Sequence, residues 1–560
     1  MQGASQSIKE SWLGKQKLRD EEDSGDVSGN AAADDVIERH LCKTTDLRNG
    51  EMRNFDVEGV SVLLVKDKGE FAAIGGKCPH YGAPLANGVY SNGKVRCPWH
   101  GACFNTKTGD IEDFPGLDCV PKYQTKIVDN DVYVIAARSG LSNKRVRPYA
   151  SFNEASSRAP VVVIGGGPSA HVCVETMRQE GYRGRIWMIH NERHLPYDRV
   201  QVTKKFDATY EQLRLRENTT DYDLGISVDR LHNTVEKVNV EEKFVTLRDG
   251  EKIEFSKLVI ATGARPRRLN VPGSDLPGVL YMRTVDDNAK LCSAVKGKNV
   301  VIIGASFIGL ESAALIAPEA SSVTVICNDS KPLRRTMGEI AGDTVLKLFD
   351  SNGVKIETNA SVVALNGKDA VEEVVLGDGR RIPADVVVAG IGVLPNTEFL
   401  KDSGIQMDSR GFVLVSEILE TNVKDIYAIG DACAFPLTWF TDKKVNVQHY
   451  QIAQKHGRTA GSAIAGKPQK LSTAPFFWTV LFKAGFRFSG YAEKLDDFIL
   501  KEYENGYNMY IFKDNRVVAV SSSGPKAQSV LFTEVFSRRI VVTKEEVKMN
   551  NANDWSHLLA

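Results

Sequence analysis

Two cysteines and two histidines stand close together, as Cys78-Pro79-His80 and, sixteen residues on, Cys97-Pro98-Trp99-His100. Each pair joins one thiol to one imidazole. Such a set can hold a [2Fe–2S] centre, with both thiolates on one iron and both imidazoles on the other. The alternative is a structural zinc site with two Cys and two His. Zinc sites usually group their cysteines in one pair and their histidines in another, so the mixed pairs favour the iron–sulfur centre.

Two glycine-bearing turns could cradle phosphates. "VVVIGGGPSAHVCVETMRQEGY" (161–182) reads as a buried strand, a Gly turn and a helix, with "RIWMIHNE" (185–192) as the next strand. Gly165, Gly167 and Ala170 fit the pattern G-x-G-x-x-G/A. The first position permits the tight turn, the second lets a pyrophosphate approach the backbone, and the small third packs helix on strand. The phosphates would then sit at the helix N-terminus, where free N–H groups attract anions. Glu192 is placed for an adenosine ribose, and Asn191 is equally placed. The second unit, "NVVIIGASFIGLESAALI" (299–316) followed by "SVTVICND" (322–329), carries Gly304-x-Ser306-x-x-Gly309. Ser stands there where the close-approach Gly would be. The pair reads as one fold for FAD and a nested one for a nicotinamide nucleotide. "TNVKDIYAIGDACAFP" (421–436) delivers Asp431 at the carboxyl end of a strand, where open α/β sheets bind ligands. Asp431 is placed to meet a ribityl hydroxyl or to cap a helix, and the two roles can coexist.

The elements that must position these residues fall into several domains, as 560 residues require. Residues 1–35 are rich in Ser, Gly and charge and read as a disordered leader. Residues 36–137 hold short strands between Gly, Asn and Asp turns, an all-β module with the two ligand loops at its tip. A polar linker (138–159) follows, then α/β segments that resemble those of two-dinucleotide-binding flavoprotein reductases, a resemblance that implies an FAD-binding unit in two parts (160–285 and 397–468) around a nicotinamide-nucleotide-binding unit (286–396). The last part, 469–560, reads as an α+β domain with antiparallel strands over 497–524. Basic and acidic residues balance at 71 each, so no global field favours nucleic acid. No apolar run approaches the ~20 residues of a transmembrane helix. Without a clear targeting signal the expected compartment is the cytoplasm, the mitochondrion being the alternative.

The two ligand loops, with their flanks "APLANG" (83–88) and "HGACFNTKTG" (100–109), resemble those of Rieske ferredoxins. Ala83 and Trp99 stand where high-potential Rieske proteins carry an extra Cys pair, so the resemblance implies a lower-potential, ferredoxin-like cluster held by Cys78, His80, Cys97 and His100. Residues 160–465 resemble the two-dinucleotide-binding flavoprotein reductases of ferredoxin-reductase type. The whole is similar to apoptosis-inducing-factor-like proteins with an N-terminal Rieske domain. The resemblance implies bound FAD and NAD(P)H as reductant. In "LPYDRVQVTK" (195–204) it puts Arg199 against FAD and Lys204 by the reactive edge of the flavin, with Glu311 as partner of Lys204. It brings Arg267, which closes "ATGARPR", to the FAD, and His449 and Trp478 to the flavin ring, though ordinary packing explains those last two equally well.

These parts form one chain of electron transfer. A nicotinamide gives two electrons as a hydride, a Rieske cluster takes one, and a flavin converts between the two. Lys204 would stabilise negative charge on the reduced flavin in a low-dielectric site, and Glu311 would hold it there. Disulfide reductases of this fold need two neighbouring cysteines, whereas Cys173, Cys292, Cys327 and Cys433 are isolated. The expected activity is an NAD(P)H:acceptor oxidoreductase, with a protein or small molecule as final acceptor. A redox-responsive apoptosis signalling protein, in which turnover is incidental, is the competing class. At the nucleotide ribose, Cys327 stands where NADH enzymes commonly place Glu, so the hold would come from Asn328 or Asp329. Lys331, Arg334 and Arg335 are the nearest cations for a 2′-phosphate, but the two arginines lie beyond Pro332 and Asp329 would repel phosphate. This reading favours NADH.

Overall fold

The computed structural model describes residues 35–153, 159–194, 196–216, 226 and 228–559. The leader expected over 1–35 lies outside these residues except for Asp35. The N-terminal module is built on a six-stranded antiparallel sheet in the order Val36–Lys43, Asp131–Ala137, Lys122–Val128, Glu70–Gly75, Val60–Asp67, Met52–Val57. A second, four-stranded sheet runs from Val89–Ser91 to Ile111–Asp113. One ligand loop leaves the strand Glu70–Gly75, and the other joins Lys94–Arg96 to Cys103–Asn105.

The two ligand loops share one backbone design. In the first, Cys78 N–H donates to Ala83 O (2.8 Å) and Gly82 N–H to Cys78 O (2.8 Å). In the second, Cys97 N–H donates to Ala102 O (2.7 Å) and Gly101 N–H to Cys97 O (3.2 Å). Gly82 and Gly101 take nearly equal φ of 79° and 78°, a left-handed turn that a side chain would strain. Both loops therefore read C-P-x-x-G-A. They differ in where the imidazole sits, third in one and fourth in the other, which explains the unequal Cys–His spacing.

The α/β region holds two parallel five-stranded sheets. The first runs Asp229–His232, Ile186–His190, Val161–Ile164, Lys257–Ile260, Ile426–Ala428. Its central strand, Val-Val-Val-Ile, is wholly buried, as a parallel sheet covered on both faces requires. The second runs Val279–Leu280, Val386–Ala389, Asn299–Ile303, Ser322–Ile326, Val354–Glu357. Each sheet has a three-stranded antiparallel companion: Val235–Asn239 to Lys252–Glu254 in the first unit, Val362–Asn366 to Arg381–Pro383 in the second. The two units are thus the same design, one nested in the other. Helix α1 (Pro168–Gln179) and helix α2 (Phe307–Ile316) follow the two glycine turns, and helix α3 (Tyr450–Ile464) packs along α1. Gly457 and Gly461 of α3 let the two backbones nearly touch: a Cβ there would lie 2.4 Å from Ser169 O and 2.6 Å from Cys173 O. That close crossing fixes where the start of α3 points. The chain closes in a five-stranded antiparallel sheet, Phe476–Leu481, Ala484–Gly490, Arg516–Ser523, Gly506–Lys513, Phe498–Tyr503, backed by the helices Ser529–Ser537 and Lys544–Met549.

Candidate functional site: an iron–sulfur tip against a dinucleotide cavity

Cys78 and Cys97 are buried and close enough for the Cys78 thiol to donate to Cys97. That contact lowers the Cys97 thiol and raises Cys78. Backbone N–H groups of His80 and Tyr81 face the Cys78 sulfur, and those of Trp99 and His100 face the Cys97 sulfur. Sulfurs so surrounded are suited to carry the negative charge of an iron–sulfur cluster. The rings of His80 and His100 meet at 5.1 Å between centroids, and His80 Nδ1 is buried without a partner. Burial pushes the His80 imidazole down to about 4 and His100 to about 2, so both are neutral donors. Among the described residues no three Cys, His, Asp or Glu side chains converge as one metal ion would need. The two thiols meet each other and the two imidazoles meet each other, the pairing that a centre with two thiolates on one iron and two imidazoles on the other would use. All nine cysteines are free thiols.

A cavity of about 1350 Å³ runs from the first glycine turn to the nested one. Gly165, Gly167, Glu192, Arg199, Lys204, Asp431, His449 and Trp478 line it on the first side, and Ser306 and Glu311 on the nested side. Gly165 packs so closely that a Cβ would lie 2.3 Å from Ala261 O, whereas a Cβ on Gly167 would meet nothing within 4 Å. The second position thus opens on the cavity, as a pyrophosphate needs. Ala170, Gly304 and Gly309 do not line it. Ala170 is fully buried, and a Cβ on Gly309 would lie 1.9 Å from Gly304 O, so these three residues serve helix–strand packing.

At the centre, Lys204 Nζ lies 2.6 Å from Glu311 Oε1. Lys204 follows the turn Arg199–Thr203, whose start is capped by the Asp198 carboxylate accepting from Val200 N–H (3.1 Å). Glu311 projects from α2, 7% exposed, and accepts from Thr203 Oγ1 (2.5 Å) and Thr479 Oγ1 (2.6 Å). Three segments distant in the chain therefore fix one ammonium. Its neighbour is the Trp478 ring, with a centroid 5.2 Å from Nζ. His449 precedes α3, and burial together with the Lys204 charge holds it down at about 3, with Nδ1 unpartnered.

The remaining candidates are spread along the cavity or beyond it. Glu192 and Arg199 bind each other (2.6 Å). Asp431 lies 3.2 Å from the Arg283 guanidinium, a residue with no motif around it, whose only signal was its place before the helix cap Thr284. Arg267 departs from expectation. The strand Ala264–Pro266 ends before it, so its side chain is exposed and off the cavity, and Arg265 takes a place in the wall. Asp329 also lies off the wall and is held by Arg334 and Arg335.

Fold and site together define a flavoprotein oxidoreductase with an iron–sulfur module fused to its N-terminus. The comparisons agree. Residues 159–457 match the family model described as pyridine nucleotide-disulphide oxidoreductase, and residues 38–124 match the Rieske [2Fe-2S] domain. The chain belongs to the pyridine nucleotide-disulphide oxidoreductase family, and carries a Rieske domain before it. Apoptosis-inducing factor 3 of Homo sapiens is 41% identical over 526 residues, 92% of this chain and 86% of that protein. The benzene 1,2-dioxygenase system ferredoxin--NAD(+) reductase subunit of Pseudomonas putida is 30% identical over 402 residues, 70% of this chain and 97% of that one. Of solved structures, the ferredoxin reductase for the CYP199A2 system from Rhodopseudomonas palustris superposes with a TM-score of 0.68 at 27% identity, covering 72% of this chain and all of that one. The covalent putidaredoxin reductase–putidaredoxin complex follows at 0.66 and 26%, covering 70% and 95%. The protein is an oxidoreductase of a family that uses FAD and NAD(P)H, and its Rieske domain implies a [2Fe–2S] cluster. No helix among the described residues is long and apolar enough to cross a membrane.

Proposed function

We propose that this chain takes electrons from NAD(P)H and passes them, through FAD in the large cavity, to its own Rieske cluster, from which a separate acceptor draws them. The observation that carries this reading is the contact of His100, a cluster ligand, with Trp478, a wall of the cavity, at 3.9 Å between ring centroids. When bound, the flavin converts a two-electron donor into a one-electron source. Lys204 holds a fixed positive charge where negative charge builds on reduction, in a site where Glu311, Thr203 and Thr479 prevent it from swinging away. Gly165, Gly167 and Arg199 would hold FAD along the first side of the cavity, and Asp431 would meet a hydroxyl of its ribityl chain.

The Rieske tip is seated by charge and hydrogen bonds. Arg96 meets Glu534 at 2.5 Å and Lys455 meets Asp113 at 2.8 Å. Gln451 Nε2 donates to His100 O and to Phe114 O (3.2 Å), so α3 grips the ligand loop from the same end that presents His449 to the cavity. Tyr81, stacked on His80 at 3.7 Å, donates to Asp198, the cap of the turn leading to Lys204. A link to apoptosis comes to this chain only through the name of its human relative. The test is an anaerobic titration of the fully loaded protein with NADH. Reduction of both flavin and cluster is expected, and a cluster that stays oxidised beside a reduced flavin would overturn the reading.

A further inference from the structure

The nested fold has no carboxylate at the strand-end position that commonly holds the ribose of NADH. Its strand Ser322–Ile326 ends at Cys327, where a carboxylate would hold the ribose hydroxyls. The Cys327 thiol is buried and turns back on its own loop, donating to Asp329 O at 3.4 Å. Asp329, the next carboxylate, is fully engaged elsewhere. Arg334 binds both its oxygens, Nε at 2.5 Å and Nη2 at 3.1 Å, and Arg335 Nε adds a third bond at 2.8 Å. The Asp329 side chain is only 12% exposed, whereas Arg335 is 74% exposed.

At Asp329 itself two guanidiniums meet one carboxylate. Lys331 pairs with Asp343 (2.9 Å) and Glu339 (3.7 Å), so the wider corner sets three cations against three carboxylates, and what it offers a phosphate is the exposed Arg335 guanidinium rather than a net charge. Arg335 and Thr336 line the cavity together with Ser306 and Ile308 at the start of α2, the end of a helix that suits a pyrophosphate. A guanidinium at the ribose end of such a fold is the usual partner of a 2′-phosphate, and its fork suits phosphate oxygens. The phosphate repulsion expected from Asp329 does not operate, since its oxygens face the arginines and it is not part of the cavity wall.

Resting on the nucleotide reading of the cavity given above, we infer that this site accepts the 2′-phosphate of NADPH. Arg335 is its direct partner, and Asp329 and Arg334 hold that side chain in place. Calorimetry on the FAD-loaded protein with 2′,5′-ADP and 5′-AMP reads the ribose site without turnover. The phosphorylated analogue is expected to bind at least about tenfold tighter, and Arg335→Ala to abolish that difference while leaving 5′-AMP within about twofold. In parallel, NADPH is expected to reduce the flavin with a kcat/KM no lower than that of NADH. Equal binding of both analogues, with NADH reducing the flavin and NADPH inert, would overturn the inference and leave the parent reading standing. Failure of both nucleotides to reduce the flavin, with neither analogue bound, would overturn both.

Discussion

Trp478 and His100 lie ring against ring, 3.9 Å between centroids and inclined by 35°. One belongs to the C-terminal sheet and lines the cavity; the other stands in the second Cys/His loop of the Rieske domain. Lys204 approaches the same indole, so one aromatic side chain touches both the charge-bearing centre of the cavity and the iron site. Arg487 Nε, from the neighbouring strand, reaches the carbonyl of Trp99 at 3.4 Å and holds the ligand loop beside it.

Replacing Trp478 by Leu keeps an apolar filler and removes the ring. Flavin reduction by NAD(P)H is expected to stay within about twofold, while cluster reduction slows at least about tenfold, ~1.4 kcal/mol on that barrier. Stopped-flow absorbance separates the two phases. Equal slowing of both would contradict the assignment.

Lys204→Ala is expected to slow flavin reduction by about 10- to 100-fold with FAD retained. It leaves the buried Glu311 carboxylate with hydroxyl donors alone, which costs about 1–3 kcal/mol of stability. Glu311→Gln keeps one hydroxyl donation on its amide oxygen and can donate its amide N–H to the other hydroxyl, so it is expected to be milder in stability than in rate. The flavin spectrum, a melting curve and single-turnover reduction check all three statements.

His80→Ala and His100→Ala are each expected to abolish the visible absorption and electron-resonance signature of mixed Cys/His ligation, with iron falling below two per chain. A wild-type protein that carries one zinc and no iron would contradict the ligand set proposed at Cys78, Cys97, His80 and His100.

Acid should loosen the FAD region. His456 is buried beneath the Asp431 turn, its Nδ1 accepts from Gly430 N–H (3.2 Å), and burial holds its imidazole down at about 3. A histidine whose pKa is lowered on folding gives stability that is complete above its unfolded value of ~6.5 and is lost as pH falls towards the folded one. The slope is about 1.4 kcal/mol per pH unit for such a group. His449, also held at about 3, acts in the same direction. His456→Asn keeps an acceptor for Gly430 and removes one titration, so its melting temperature should fall less steeply between pH 6.5 and 4. An unchanged slope would show that His456 is not a source of the acid sensitivity.

The Rieske domain was legible because iron chemistry restricts both residue type and spacing, and because each Cys/His loop closes on itself within six residues, as its backbone bonds show. The glycine turns were legible for the same reason: strand, turn and helix are local. Arg283 and Arg265 were not, since a lone arginine carries no pattern and its place in the cavity depends on which way a strand end turns. Arg267 shows the converse, a family match displaced from the cavity by the end of its strand. The seating of the Rieske tip was equally hidden, because Arg96–Glu534 and Gln451–His100 join residues hundreds of positions apart. Asp329 was found but its role was not, because two side chains downstream occupy its oxygens.

The most direct test of the central claim is freeze-quench electron resonance on the loaded protein, mixed anaerobically with NADH at several protein concentrations. Internal transfer through the His100–Trp478 contact predicts that the reduced cluster appears with a first-order rate that does not change on dilution. A rate that falls in proportion to protein concentration, or a flavin fully reduced while the cluster stays oxidised, would contradict it.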